Sequence, residues 1–123
     1  MPNPPIQILL IDDSPSDVFL LQEMLATVPA MLFALTVAPR LGEGLKHLGA
    51  QSFDVVLLDL GLPDSQGLAT FVTVRDQAPG APVVVLTGLA DETLGVWAMQ
   101  QGAQDYLIKG QVDGSGLARA IRY

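Results

Sequence analysis

Four short apolar runs punctuate the chain: Ile8-Leu9-Leu10-Ile11, Val55-Val56-Leu57-Leu58, Val83-Val84-Val85-Leu86 and Tyr106-Leu107-Ile108. Each is too short for a helix, and none alternates with polar residues. Such runs suit strands covered on both faces, as in a parallel sheet. A looser run from Phe33 to Ala38 predicts a fifth strand, placed at an edge. The segments between carry helical spacing. Ser16 is the expected N-cap of a first helix bearing Val18, Leu21 and Leu25, with Pro29 marking its end. Residues 42–48 predict a short second helix weakened by two glycines, and 66–76, 92–101 and 116 onward predict three more. Gly102 falls where a helix C-terminus wants a residue tolerant of positive φ. Strands and helices therefore alternate throughout, and right-handed crossovers place helices on both faces of a twisted parallel sheet. The expected class is α/β.

Length and composition narrow the setting. At 123 residues the chain is one domain, 1–123, without repeat, low-complexity tract or linker. A compact chain of this size removes roughly two-thirds of its unfolded surface from water, so it needs no disulfide or structural metal to hold it. Half the residues are apolar and 6% aromatic, which suits an aliphatic core. The absence of cysteine excludes a disulfide scaffold and a thiolate zinc site, and fits a reducing cytoplasm. A formal charge of −7 argues against a domain that binds nucleic acid by itself. Met1-Pro2-Asn3-Pro4-Pro5 has neither the charge nor the apolar stretch of a signal peptide, and no run approaches a membrane span. The last helix is short, either by design or because it leads into a further domain beyond Tyr123.

The chemistry lies at the carboxyl end of each run. The first strand ends in Asp12-Asp13, the second run in Asp59, the third in Thr87 and the fourth in Lys109. All stand at the same ends of parallel strands and so share one rim, where open α/β sheets bind ligands. In the spatial order 2-1-3-4-5 the strand order reverses between the first and third strands, which deliver Asp12, Asp13 and Asp59. Three carboxylates in one crevice repel each other, and burial would raise their pKa values. A hard divalent cation relieves that conflict; magnesium is often held by one or two carboxylates plus a phosphate. Lys109 and Thr87 opposite the acids complete a cradle for a phosphoryl group, whose transfer needs charge neutralisation above all. A carboxylate nucleophile forming an acyl phosphate is an established mode. Any one of these residues alone reads as a turn, cap or solvated side chain; their joint placement carries the functional reading.

These residues resemble the receiver domain of two-component response regulators, with its flavodoxin-like, chemotaxis-regulator-like fold, from about Ile6 to Tyr123. Leu58-Asp59-Leu60-Gly61-Leu62-Pro63-Asp64-Ser65-Gln66-Gly67 is similar to that family's phosphorylation segment. Val84-Val85-Leu86-Thr87-Gly88 and Gly102-Ala103-Gln104-Asp105-Tyr106-Leu107-Ile108-Lys109 resemble its hydroxyl-bearing strand and its aromatic–lysine segment. The resemblance implies Asp59 as phosphoacceptor. It implies Asp12, Asp13 and Asp59 as holders of Mg2+ or Mn2+, with the Gly61 backbone carbonyl as a further ligand. Thr87 and Lys109 would bind phosphoryl oxygens, and Thr87 and Tyr106 would report the phosphorylated state. A sensor histidine kinase or phosphotransfer protein would be the donor. The output would be a domain after Tyr123, a docked partner, or a homodimer through the face of the fourth helix, fifth strand and fifth helix.

Three features depart from the family pattern. Gly110 follows Lys109 where the family has a cis-proline; a cis bond without proline costs about 2.5–4 kcal/mol, so a trans bond and an altered loop are expected. Gly61 offers no side chain near the phosphoryl group and Leu89 an apolar one, which leaves the acyl phosphate's lifetime open. With Val96, Met99 and Ala103 as the buried stripe of the fourth helix, Trp97 lies about 100° away and at least partly exposed, as a flank residue or a partner contact. His47 reads as a solvated surface histidine.

Other functions fit less well. A phosphatase of the haloacid dehalogenase type needs a second Asp two residues after the nucleophile, where Gly61 stands. A flavodoxin-like binding module needs a phosphate loop after the first strand, where Asp12-Asp13 would repel a flavin phosphate. A non-phosphorylated interaction module leaves the acid set unexplained.

Overall fold

A computed structural model describes residues 4–28, 32–88 and 91–122; Pro29 and Leu89 lie outside the described residues. The element order is β1 (Ile6–Ile11), α1 (Pro15–Ala26), β2 (Phe33–Ala38), α2 (Leu41–Ala50), β3 (Val55–Asp59), β4 (Gly61–Leu62), β5 (Ser65–Gln66), α3 (Leu68–Gln77), β6 (Val83–Thr87), α4 (Glu92–Gln100), β7 (Asp105–Ile108) and α5 (Gly114–Arg122). Five strands form one parallel sheet in the order β2-β1-β3-β6-β7. Once the short β4–β5 hairpin is set aside, this is the expected 2-1-3-4-5, with the looser Phe33–Ala38 strand at an edge.

The unbroken apolar runs are explained by a core on each face. Successive strand residues point to opposite sides. Leu9, Ile11, Val56, Leu58 and Val85 meet Phe71 and Val74 of α3, Leu41 of α2 and Ala98 of α4. Ile8, Leu10, Val55, Leu57 and Val84 meet Leu21 and Leu25 of α1 and Leu117 and Ile121 of α5. Among the described residues, the central strands β1, β3 and β6 have no solvent face to mark with polar residues. No described helix is long and apolar enough to cross a membrane.

Several boundaries differ from expectation for local reasons. Ser14, not Ser16, caps α1: its hydroxyl accepts from the Asp17 N–H at 3.3 Å, and Pro15 opens the helix, where its missing N–H is no loss. Helix α3 starts at Leu68 because Gln66 is paired with Gly61 in the hairpin, and Gly67 turns the chain at φ 75°. Helix α2 is longer than expected although its N-cap, Arg40, supplies no capping side chain. The cap comes from the hairpin turn. Asp64 accepts from the N–H groups of Leu41 at 2.9 Å and Gly42 at 3.0 Å. Those two donors hold its carboxyl below the usual carboxylate range, so this cap is present at neutral pH and is lost only as acid protonates Asp64.

Helix α4 corrects a larger expectation. Its buried residues are Gly95 and Ala98, not Val96 and Met99, which are 42% and 40% exposed; Ala103, just past the helix, is buried as expected. The reason is steric. A Cβ on Gly95 would lie 2.7 Å from Cγ and 3.2 Å from Cβ of Tyr106, so α4 presses its backbone on that ring and turns its larger apolar residues outward. Trp97 is 49% exposed, in line with expectation. Gly102 adopts φ 110°, as its C-terminal position required. Every described peptide bond is trans, Lys109–Gly110 included, and Gly110 turns the chain at φ 86°.

Gly95→Ala tests the close approach of α4 to Tyr106. In an open helix it would stabilise by about 1 kcal/mol. Here the root of the ring cannot swing clear, and the substitution should destabilise by about 1–3 kcal/mol, read as a lower urea midpoint at unchanged slope.

Candidate functional site

The parallel register delivers the rim residues side by side. Ile11 of β1 lies beside Leu58 of β3, so Asp12 and Asp59 emerge together. The ladder continues past the strand ends through Asp12 N–H to Ala38 O, 3.0 Å, and Lys109 N–H to Thr87 O, 2.8 Å. Asp12 is buried at 1% exposure, Asp59 is half-buried and Asp13 is exposed. One carboxylate oxygen from each of Asp12, Asp13 and Asp59 falls within 4.8 Å of the others.

Lys109 closes the cluster. Its Nζ lies 2.9 Å from Asp12 Oδ2, 2.9 Å from Asp59 Oδ2 and 2.8 Å from Asp17 Oδ2. Asp17 was not anticipated. It sits in the first turn of α1, three residues after the cap, and the available signal was an acid on the helix that succeeds the Asp pair on this rim. The second oxygens of the central acids are also engaged. Asp59 Oδ1 accepts from the Gly61 N–H at 2.9 Å, and Asp12 Oδ1 accepts from the Ser14 N–H at 3.0 Å.

Two buried oxygens are left with spare capacity. Asp12 Oδ2 has the ammonium 2.9 Å away but outside hydrogen-bonding direction, so it has a counter-charge and no directed donor. Thr87 Oγ1 is buried without a partner among the described residues. Thr87 lines a cleft of about 360 Å³ together with Asp59, Gly61, Gln66, Gly88 and Asp91. A buried polar group without a partner is costly unless something else completes it.

The electrostatics fit the same picture. Burial raises the Asp12 carboxyl above its ordinary value, more than the Ser14 N–H and Lys109 lower it. Burial alone would lower the Lys109 ammonium, but the hydrogen bonds to Asp17 and Asp59 and the charge of the adjacent Asp12 carboxylate outweigh it and leave its pKa raised. The two partners thus shift in the same direction. The lysine is shared among three acids, so each acid receives only part of its charge, and Asp12, the deepest, retains a net desolvation cost. Three carboxylates, one of them buried with an undirected oxygen, form a donor set suited to a hard divalent cation.

Asp12, Asp13, Asp59 and Lys109 are therefore brought together, and Thr87 and Gly61 line the same cleft as Asp59. Tyr106 is not among the cleft's lining residues; it is half-buried on edge strand β7, with its ring under Gly95. His47 stands apart on α2 in its last turn.

A parallel sheet of this order with an acid cluster and a lysine at its carboxyl rim defines a receiver fold. The chain belongs to the response regulator receiver domain family, which matches residues 8–122. It is thus a phosphoacceptor signalling module of two-component systems rather than a classical enzyme. Protein PilH of Pseudomonas aeruginosa is 35% identical over 117 residues, covering 94% of this chain and 93% of PilH. Transcriptional regulatory protein GlrR of Escherichia coli is 32% identical over 121 residues, 98% of this chain but 26% of GlrR. The chain thus spans about a quarter of the length of such regulators. Among solved structures, a response regulator protein from Burkholderia pseudomallei with a phosphorylated aspartic acid, calcium ion and citrate is 30% identical. It superposes with a TM-score of 0.76 over 94% of this chain and 65% of that one.

The raised Asp12 pKa gives a pH-dependent expectation. A carboxyl whose folded pKa exceeds its unfolded value adds stability below the unfolded pKa and loses it as pH rises through the folded one. Without metal, Asp12→Asn should therefore raise the melting temperature at pH 7 by about 2–5 °C. The gain should vanish as pH falls below the ordinary carboxylate range, in thermal melts run in a chelating buffer.

Proposed function

We infer that this domain accepts a phosphoryl group on Asp59 from a histidine kinase or phosphotransfer protein, and that a divalent cation, Mg2+ or Mn2+, assists. The observation that carries this reading is the Lys109 ammonium 2.9 Å from Asp59 Oδ2, inside an acid cluster, where Asp59 shares a cleft with Thr87, whose buried hydroxyl has no partner among the described residues. The Burkholderia relative with a phosphorylated aspartic acid and a calcium ion supports it.

The placement supports the following chemistry. An oxygen of Asp59 forms the new P–O bond as the P–N bond of a phosphohistidine breaks. The electron pair stays on the leaving imidazole, which departs neutral if the ring was protonated. Lys109 then exchanges its contact with Asp59 for a phosphoryl oxygen, and the Thr87 hydroxyl donates to another. Asp12, Asp13, Asp59 and the Gly61 carbonyl would hold the cation, which supplies the neutralisation that clustered carboxylates and a phosphoryl group require. Asp13, the exposed acid, has no lysine contact to surrender and so offers the more direct ligand.

Drawing Thr87 toward a phosphoryl group would alter the surroundings of Tyr106, which pairs across β6–β7 with Val85 and rests against α4. The readout surface would then be the face of α4, β7 and α5, where Val96, Trp97 and Met99 are exposed. That face would engage a partner, a second copy, or an output domain following Tyr123. The setting would be cytoplasmic, where such kinases phosphorylate. A phosphatase of the haloacid dehalogenase type is disfavoured because Gly61 stands where its general acid would be needed.

Acetyl phosphate with magnesium should add the mass of one phosphoryl group, absent in Asp59→Asn; an unmodified wild-type chain would remove this reading. Lys109→Ala and Thr87→Ala should slow the reaction by about tenfold to a thousandfold, followed by intact mass against time. Trp97→Ala should weaken self-association or partner binding of the phosphorylated domain in analytical ultracentrifugation, and no change would remove the α4 contact.

A further inference from the structure

Asp17 has no place in the phosphoacceptor scheme above, yet it makes the shortest contact to Lys109, 2.8 Å from Nζ. The local structure explains why its carboxylate is free to do so. An acid three residues after a helix cap commonly reaches back to the cap's own N–H, closing a capping box. Here that N–H, on Ser14, is already taken by Asp12 Oδ1 at 3.0 Å. The backbone of Asp17 is bound to the Ser14 hydroxyl, while its side chain turns across to a lysine 92 residues away. Asp17 does not belong to the group of Asp12, Asp13 and Asp59 whose oxygens gather within 4.8 Å.

That division separates two duties. Without a cation, Lys109 neutralises Asp12, Asp59 and Asp17 together. A divalent ion among Asp12, Asp13 and Asp59 would stand close to the ammonium and repel it. Two of the lysine's three partners would then be claimed, and only Asp17 would remain. We propose that Asp17 is a positioning residue that retains Lys109 at the rim when a divalent cation occupies the acid cluster, so easing the competition between ammonium and metal. This rests on the reading of the cluster as the metal-assisted phosphoacceptor site.

The consequence is read in metal affinity, apart from any phosphorylation. Without Asp17, the lysine has no refuge and stays on Asp12 and Asp59, against the incoming ion. Magnesium titrations followed by amide chemical shifts should give a dissociation constant about fivefold weaker for Asp17→Asn than for wild type. In a Lys109→Met background the same substitution should change it by less than about twofold, because the competitor is gone. Glu23→Gln, which removes an equal charge from an exposed position on α1, should leave the constant unchanged. Circular dichroism of each variant establishes that it is folded.

An equal loss of affinity with Lys109→Met in place would mean that Asp17 acts as a distant charge only, and overturns the proposal. So would an unchanged constant in Asp17→Asn. A wild-type chain without magnesium-dependent shifts would instead remove the phosphoacceptor reading, and this inference with it.

Discussion

One ammonium set among carboxylates is the constraint on which the site depends. Asp12, Asp13, Asp17 and Asp59 converge on a single rim, with Lys109 as the shared cation of Asp12, Asp17 and Asp59. Charges this close in a partly dry setting interact by several kcal/mol per pair at an effective dielectric near 20. The arrangement is tolerable because Lys109 is held by three acids, and because the Ser14 and Gly61 N–H groups serve the remaining oxygens of Asp12 and Asp59. It is still under-neutralised. That imbalance is what a divalent cation and a phosphoryl group would complete together, so the site is tuned to change rather than to rest.

The scaffold makes such an imbalance sustainable. A sheet with an aliphatic core on each face fixes β1, β3, β6 and β7 in register without help from the rim. The strand ends can therefore carry groups that oppose folding. Burial raises the Asp12 carboxyl, and Thr87 Oγ1 is buried without a partner among the described residues, costs that a sheet of this depth absorbs.

Much of this was legible in the sequence, and the parts that were not share a cause. The apolar runs located β1, β3 and β6, since a strand buried on both faces cannot hide its composition, and a shorter run located the half-buried edge strand β7. The residues directly after those runs located Asp12, Asp13, Asp59, Thr87 and Lys109, because strand ends inherit their position from the sheet. Features set by contact between elements were not legible. Ser14 rather than Ser16 caps α1 because Pro15 fixes the first turn. The β4–β5 hairpin rests on two residue pairs and leaves no periodic signal. The inward face of α4 is set by Gly95 meeting Tyr106, which apolar spacing alone assigns to Val96 and Met99 instead. Asp17 looked like an ordinary first-turn acid until the fold carried Lys109 to it.

The bond from Asp64 to the start of α2 has a consequence for how the loop after β3 can vary. The segment from Asp59 to Gly67 is tied at one end by the Asp59–Gly61 bond and midway by Asp64 to Leu41 and Gly42. Surface loops ordinarily absorb inserted residues at small entropic cost. This one is pinned to a neighbouring helix, so one added residue between positions 60 and 64 would pull the carboxylate off that helix or drag Asp59 out of line. Its length is dictated from outside, by an element that bears none of the rim's clustered acids.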